Sequence, residues 1–308
     1  MTTKLRAVTA VAALSLCASF LPSAAPSAEQ AAPVYPAPQT GVPVVVARVV
    51  ARFPHDPSAF TEGLLWHDGA LYESVGQEGR SDVRRVRLTD GKVVARGTIP
   101  PSQFGEGLAR WKDELVSLTW HEGIAHRWDA RTLKPRGEGR YVGEGWGLTS
   151  DGTALIQSDG TPTLRFLDPA TLKVRRELTV TLDGRPLPQI NELEWVDGAI
   201  LANVWHSGFI VRIDPASGAI DRLIDLRPIV AEVHARDAEA VANGIAWDAA
   251  GKRLFVTGKL WPTLYRIDIG PPPARADARS RDAPPRPEGG SPRSEGARSP
   301  TGEAAKPR

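Results

Sequence analysis

Over most of the chain apolar and polar residues alternate with a period of two, in short runs broken by turn residues; helical spacing is rare. That period marks half-buried β-strands. Residues 191–196 predict a strand, Asp197-Gly198 a two-residue hairpin turn, and residues 199–204 the returning strand. Residues 209–213 alternate as a third strand, 214–218 turn, and 220–226 form a fourth. The same order recurs elsewhere, with turns at Asp68-Gly69, Asp90-Gly91 and Asp151-Gly152. Third strands share a register in Arg84-Arg85-Val86, Arg165-Phe166-Leu167, Arg212-Ile213 and Arg266-Ile267. A single helical turn is expected at 237–242.

The pattern occurs five times. Copies open on Glu62, Glu106, Trp146, Asn191 and Asn243, and reach an apolar residue nine positions on at Leu71, Leu115, Leu155 and Ile200. A two-residue insertion moves the last to Leu254. The second strands end at Gly76, Trp120, Gly160, Trp205 and Lys259. Openers lie 44, 40, 45 and 52 residues apart, the period of propeller blades. The expected fold is therefore all-β, a five-bladed β-propeller over residues 44–270. The fifth copy ends at Ile269 without an outer strand, and residues 44–50 read as an unassigned strand. This N-terminal strand closing the last blade would remove two open sheet edges at once. Equivalent positions of successive blades converge on the axis, which is where a site is expected.

Both ends depart from the pattern. Lys4 and Arg6 precede an apolar run from Ala7 to Leu21, then small residues through Ala28, the layout of a secretory signal peptide. Residues 1–28 are expected to be a cleaved leader and 29–43 a disordered linker, leaving a secreted or periplasmic mature chain. Cys17, the sole cysteine, falls in the leader, so the rest has neither disulfide nor thiol chemistry. Residues 271–308 lack aromatic and branched apolar residues and are expected to form a disordered tail. Taking the tail's +3 and the +1 of Lys4, Arg6 and Glu29 ahead of the propeller from the formal charge of +2 leaves the propeller near −2. No nucleic-acid partner is expected on that balance, nor a transmembrane segment, and a monomer is expected.

The nine tryptophans divide by position. Trp66, Trp195 and Trp247 stand four after their openers and Trp111 five, a repeated place that suits packing between blades; Trp128 alternates within a third strand. Trp120 and Trp205 end second strands where other copies have Gly76 and Gly160, and Trp146 replaces a polar opener. Three indoles breaking the pattern at one ring would line a pocket. Glu62 and Glu106 occupy equivalent positions in adjacent blades. Two carboxylates converging near a low-dielectric axis repel, which raises the pKa of one unless a cation intervenes, and Lys259 is such a cation. Asn191 and Asn243 complete the ring as amides that donate and accept. The six histidines lack metal-ligand spacing, and neither a nucleophile-elbow serine nor a phosphate-binding glycine loop occurs. Carboxylates, amides, one lysine and aromatic walls suit proton transfer on a small polar substrate.

A run of short motifs carries a resemblance: Phe60-Thr61-Glu62-Gly63-Leu64, Phe104-Gly105-Glu106-Gly107-Leu108, Leu118-Thr119-Trp120, Gly145-Trp146-Gly147-Leu148, Ser158-Asp159-Gly160, Asn191-Glu192-Leu193-Glu194, Ala202-Asn203-Val204-Trp205, Asn243-Gly244-Ile245-Ala246 and Val256-Thr257-Gly258-Lys259-Leu260-Trp261. In that order they resemble plant-type and bacterial glutaminyl cyclases. The resemblance implies a five-bladed propeller that cyclises N-terminal glutamine of peptides and proteins to pyroglutamate with release of ammonia. It implies a pocket of Phe60, Glu62, Phe104, Glu106, Trp120, Trp146, Asn191, Trp205 and Lys259. Glu106 would shuttle the proton, Glu62 anchor the amine, and Asn191, Lys259 and an indole N–H stabilise the oxyanion. Plant members commonly carry Gln at the place of Glu62. No cofactor is required; a structural calcium in the channel is implied for plant relatives, with no ligands assigned here. Two other readings stay open. One is a calcium-dependent lactonase-like hydrolase with Glu62, Glu106, Asn191 and Asn243 as ligands. The other is a non-catalytic binding propeller.

Overall fold

Each repeat folds into an antiparallel sheet whose strands run outward from the axis in chain order. The computed structural model describes residues 39–271. Blade 1 comprises Thr61–His67, Ala70–Val75, Asp82–Val86 and Val93–Thr98, and blade 2 Gly105–Trp111, Glu114–Thr119, Ile124–Asp129 and Pro135–Arg140. Blade 3 comprises Leu148–Ser150, Leu155–Gln157, Thr163–Leu167 and Val174–Thr179, and blade 4 Ile190–Val196, Ala199–Val204, Phe209–Ile213 and Ile220–Asp225. Blade 5 has Ala242–Asp248, Arg253–Gly258 and Thr263–Asp268, and takes its outer strand, Arg48–Pro54, from the beginning of the propeller. The leader, the linker before residue 39 and the tail beyond 271 lie outside the described residues.

Closure is more elaborate than a single strand over 44–50. Arg48–Pro54 pairs antiparallel with Thr263–Asp268, while Val44–Val46 runs parallel to Ile220–Asp225 of blade 4. Between them Ala47 is buried and its N–H donates to the Asp225 carbonyl at 3.0 Å. The segment thus fastens two blades. Just before it, the Thr40 hydroxyl and the Gly41 N–H donate to Asp183.

The core is five apolar layers, one at each seam between neighbouring blades. Leu65, Tyr72 and Val83 of blade 1 meet Leu108, Leu115 and Trp128 of blade 2, and the remaining three seams up to blade 5 repeat the arrangement. The fifth seam joins Leu64, Leu71 and Val86 of blade 1 to Ala246, Phe255 and Leu264 of blade 5, completing the ring. Trp66 stacks on Phe255 across that seam, ring centroids 5.4 Å apart. Trp128 is buried with its indole N–H on Ser117 Oγ.

Asp68-Gly69 and Asp197-Gly198 both have positive φ at each residue, as a two-residue hairpin turn requires. Asp151 instead caps its own turn by accepting the N–H groups of Thr153 and Ala154. One short helix, α1 (Arg227–Val233), links blades 4 and 5. Its seven residues are too few to show a period in the sequence. The turn expected at 237–242 is confined to Asp237–Ala240, closed by the Ala240 N–H on the Asp237 carbonyl.

Candidate active site

The innermost strands of blades 1, 2, 4 and 5 share one irregularity. Their pairing with the second strand slips at Thr61/Gly63, Gly105/Leu108, Ile190/Leu193 and Ala242/Ile245, so the bulges fall on Glu62, Glu106, Asn191 and Asn243. A bulge leaves its extra residue out of the ladder and re-aims the side chain. In blade 3 the strand begins only at Leu148, and Trp146 sits in the loop before it. The residue after each opener is glycine in four blades because neighbouring backbones nearly touch there. A Cβ on Gly107 would lie 2.5 Å from the Leu148 nitrogen, and one on Gly147 2.1 Å from the Asn191 carbonyl oxygen. Blade 4 has Glu192 instead. Its carboxylate bridges the axis, one oxygen accepting the Leu64 N–H of blade 1 at 3.2 Å, the other the Ile245 N–H of blade 5 at 2.9 Å. Burial pushes this carboxyl well above the usual range, with Glu194 adding to the shift. Glu194 ties blades as well, accepting from the Trp247 N–H and the Thr149 hydroxyl.

Lys259 ends the second strand of blade 5 and turns inward. Its Nζ donates to Glu62 Oε1 at 2.7 Å and lies 4.6 Å from the centre of the Phe60 ring. Asn243 Nδ2 donates to Glu62 Oε2 at 3.1 Å and to the Thr61 carbonyl at 2.9 Å. Glu62 is 1% exposed, and burial pushes its carboxyl up to about 7 against the opposing pull of Lys259. Glu106 is 6% exposed and, among the described residues, hydrogen-bonds to no protein group. Burial and then the charge of Glu62 hold its carboxyl well above the carboxylate range, with Lys259 opposing. Asn191 makes no side-chain hydrogen bond and its Oδ1 is buried, while its backbone carbonyl accepts from Ser158 Oγ at 2.6 Å.

The aromatic residues form two linked groups. Phe60 meets Phe104 edge-on at 6.1 Å, and Phe104 meets Trp120 at 5.5 Å. Trp146 meets Trp205 edge-on at 5.6 Å. Gly76 and Gly160 stand at second-strand ends because aromatic rings occupy their side-chain space, Phe104 leading into the next blade and Trp146 from the same blade. A Cβ on Gly76 would be 2.3 Å from Phe104, and one on Gly160 2.7 Å from Trp146. Trp205 Nε1 is buried without a protein partner. The structure therefore links Phe60, Glu62, Phe104, Trp120, Lys259 and Asn243 in one set, with Glu106 near enough to feel the charges of Glu62 and Lys259, and Trp146 and Trp205 joined to it through Glu144; Asn191 stands on the blade-4 bulge.

Three supporting groups were missed in the sequence. Glu144 accepts the indole N–H groups of both Trp120 and Trp146. Glu192 could have been found as the one copy lacking glycine after its opener. His55 is buried with Nδ1 at 2.6 Å from the Trp261 carbonyl and Nε2 at 3.0 Å from Glu73 Oε1. Both partners are acceptors, so both ring nitrogens carry protons. Burial alone would lower the His55 pKa, yet Glu73 and that carbonyl raise it; Glu73 also accepts from Thr61 Oγ1 at 2.6 Å. This pair clamps the strand carrying Glu62 to the loop after Lys259, where the Leu260 N–H donates to the Ala59 carbonyl.

The axial donors do not suit calcium. Glu62 faces an ammonium and an amide N–H, Glu192 faces two backbone N–H groups, and no group of three or more His, Cys, Asp or Glu side chains converges among the described residues. A lactonase-like site built on Glu62 would need to replace Lys259 with a divalent ion.

Comparison with known proteins identifies the family. The family model described as glutamine cyclotransferase matches residues 15–269. A glutaminyl-peptide cyclotransferase of Arabidopsis thaliana is 44% identical over 227 residues, covering 72% of this chain and 70% of the relative. The crystal structure of Myxococcus xanthus glutaminyl cyclase superposes with a TM-score of 0.71 at 37% identity, covering 74% of this chain and 97% of that one. The chain belongs to the glutamine cyclotransferase family.

Proposed function

We propose that the chain is a glutaminyl-peptide cyclotransferase, closing N-terminal glutamine to pyroglutamate with Glu106 as proton shuttle. The observation that carries the assignment is the contrast between two buried carboxylates. Glu62 is committed to Lys259 and Asn243, whereas the Glu106 carboxyl beside them has no hydrogen-bond partner among the described residues. A carboxyl with a pKa lifted toward neutrality suits a group that must take and return a proton.

The reaction needs little beyond positioning, because amine and amide belong to one residue. Phe60, Phe104, Trp120, Trp146 and Trp205 would wall the glutamine side chain and fold it onto its own amine. The neutral α-amine attacks the γ-carbonyl carbon; an N–C bond forms and the carbonyl π pair moves onto oxygen. The attacking nitrogen loses a proton to Glu106. Glu106 then protonates the γ-nitrogen, the C–N bond breaks with its electron pair on that nitrogen, the carbonyl reforms, and ammonia leaves. Lys259, the Asn191 amide and Trp205 Nε1–H would hold the oxyanion. Trp205 suits this role because the indoles of Trp120 and Trp146 already donate to Glu144, whereas its own N–H has no partner among the described residues. Glu62 anchors the amine and also holds Lys259 in place. The leader motif supports export to the periplasm or medium.

Incubation with a Gln-initiated peptide should release one ammonia per pyroglutamyl product. The same peptide with an acetylated α-amine should release none, since the nucleophile is blocked. Ammonia from the acetylated peptide would indicate hydrolysis of the side-chain amide and overturn the cyclase reading.

A further inference from the structure

Glu144 ties two indoles together at once. Its Oε2 accepts the Trp120 indole N–H at 2.9 Å and the Trp146 indole N–H at 3.0 Å. The rings come from different blades, Trp120 following the second strand of blade 2 and Trp146 opening blade 3. A carboxylate oxygen has lone pairs for two donors, and its charge strengthens both bonds. Glu144 is itself fixed in place. Its carbonyl accepts from Gln157 Nε2 at 2.8 Å, the adjacent Gly145 N–H donates to the Trp120 carbonyl at 3.0 Å, and Oε1 lies 3.5 Å from His121 Nδ1.

Neither ring is fully enclosed, and the His121 ring stacked on Trp120, centroids 3.9 Å apart, covers one face without engaging its N–H. Phe104 and Trp205 touch Trp120 and Trp146 edge-on and leave the N–H ends to Glu144. The torsion about the bond from a methylene to an aromatic ring has a broad minimum, and a directional acceptor narrows it. A shared acceptor does more, because it fixes the two rings relative to each other across the blade seam.

We propose that Glu144 is a positioning residue of the cyclase, holding the Trp120 and Trp146 indoles at the spacing that grips the glutaminyl side chain. This rests on the assignment of those two indoles to the substrate walls. The walls touch substrate in the ground state and the transition state alike, so loosening them raises KM more than it lowers kcat.

The test is steady-state kinetics on a Gln-initiated peptide with E144A, E144D, E144Q and W120A, each checked for its unfolding midpoint. Losing the shared acceptor (E144A) or drawing it back by one methylene (E144D) should raise KM about tenfold or more, with kcat within about threefold. E144Q keeps an oxygen able to accept both N–H groups and should recover most of the loss. An unchanged KM in E144A and E144D, with W120A impaired, overturns the proposal. So does an E144Q as impaired as E144A, which would assign the effect to charge at the mouth. An unimpaired W120A overturns the wall assignment and this proposal with it. Where E144A fails to fold, E144D against E144Q carries the same decision.

Discussion

The Glu62–Lys259 pair is buried on both sides, and removing one partner of such a pair leaves the other charge uncompensated. Lys259→Met keeps the bulk of the side chain and removes the ammonium. Glu62, already pushed up to about 7 with Lys259 pulling the other way, should then stay protonated through neutral pH. With an oxyanion donor also lost, kcat should fall by about 10²–10³, with a smaller rise in KM from the weaker hold of a protonated Glu62 on the amine. A change confined to KM would make Lys259 a substrate-binding group only. The sequence made the chemical types at this scale legible: two acids, a late lysine, amides, and indoles out of pattern. What it hid was partnership. Nothing in the string says that Lys259 bonds Glu62 while Glu106 goes without, or that Glu144, one more acid in a loop, faces two indoles.

At the level of strands, the site exists because four inner strands bulge at the same place. Glycine beside the bulge lets neighbouring backbones come together, and Gly147 is the tightest case. Gly147→Ala would set a methyl 2.1 Å from the Asn191 carbonyl oxygen and 2.9 Å from the Glu192 Cα. Overpacking of this kind costs about 1–3 kcal/mol, visible as a lowered denaturation midpoint, and should displace Asn191 and reduce turnover. Glu192→Gln probes the axial bridge: the amide NH2 cannot accept the second backbone N–H. Leaving that donor unpaired costs about 1–3 kcal/mol. An unchanged midpoint would mean that the bridge does not hold the ring. Strand order and most boundaries were readable from alternation and Asp-Gly turns, and residues 199–204 and 209–213 fold as strands over those spans. Bulges were not, because a single extra residue leaves a period-two pattern intact on either side. The division of 44–50 into two strands was hidden in the same way, since Val44 to Val50 is apolar almost throughout.

The whole ring gathers four carboxyls near the axis whose pKa values all move up. Burial pushes Glu62 up to about 7 and Glu194 up to about 8, and Glu106 and Glu192 well above the usual range; His55 is raised by its acceptors. His67 and His126, lowered by burial, act the other way below about pH 6.5 but are outnumbered by these five groups, so between about pH 4.5 and 8 the folded chain binds more protons than the unfolded chain and stability falls as pH rises. Glu73 has the opposite sign. Burial opposes its ionisation but His55 and Arg84 hold its carboxyl low, so its contribution is lost only as pH falls below about 4.5. The thermal midpoint should decline from pH 5 to pH 8, and Glu194→Gln should flatten the decline; a midpoint rising over that range would contradict the assignment. The claim that most depends on the complete ring is that Glu106 carries the proton between the two nitrogens. Its most direct test is the turnover of Glu106→Gln on a Gln-initiated peptide, alongside the peptide's affinity. Affinity near that of the unaltered chain with kcat lowered at least about 10²-fold is the expected result. Turnover within about threefold of the unaltered chain would contradict it.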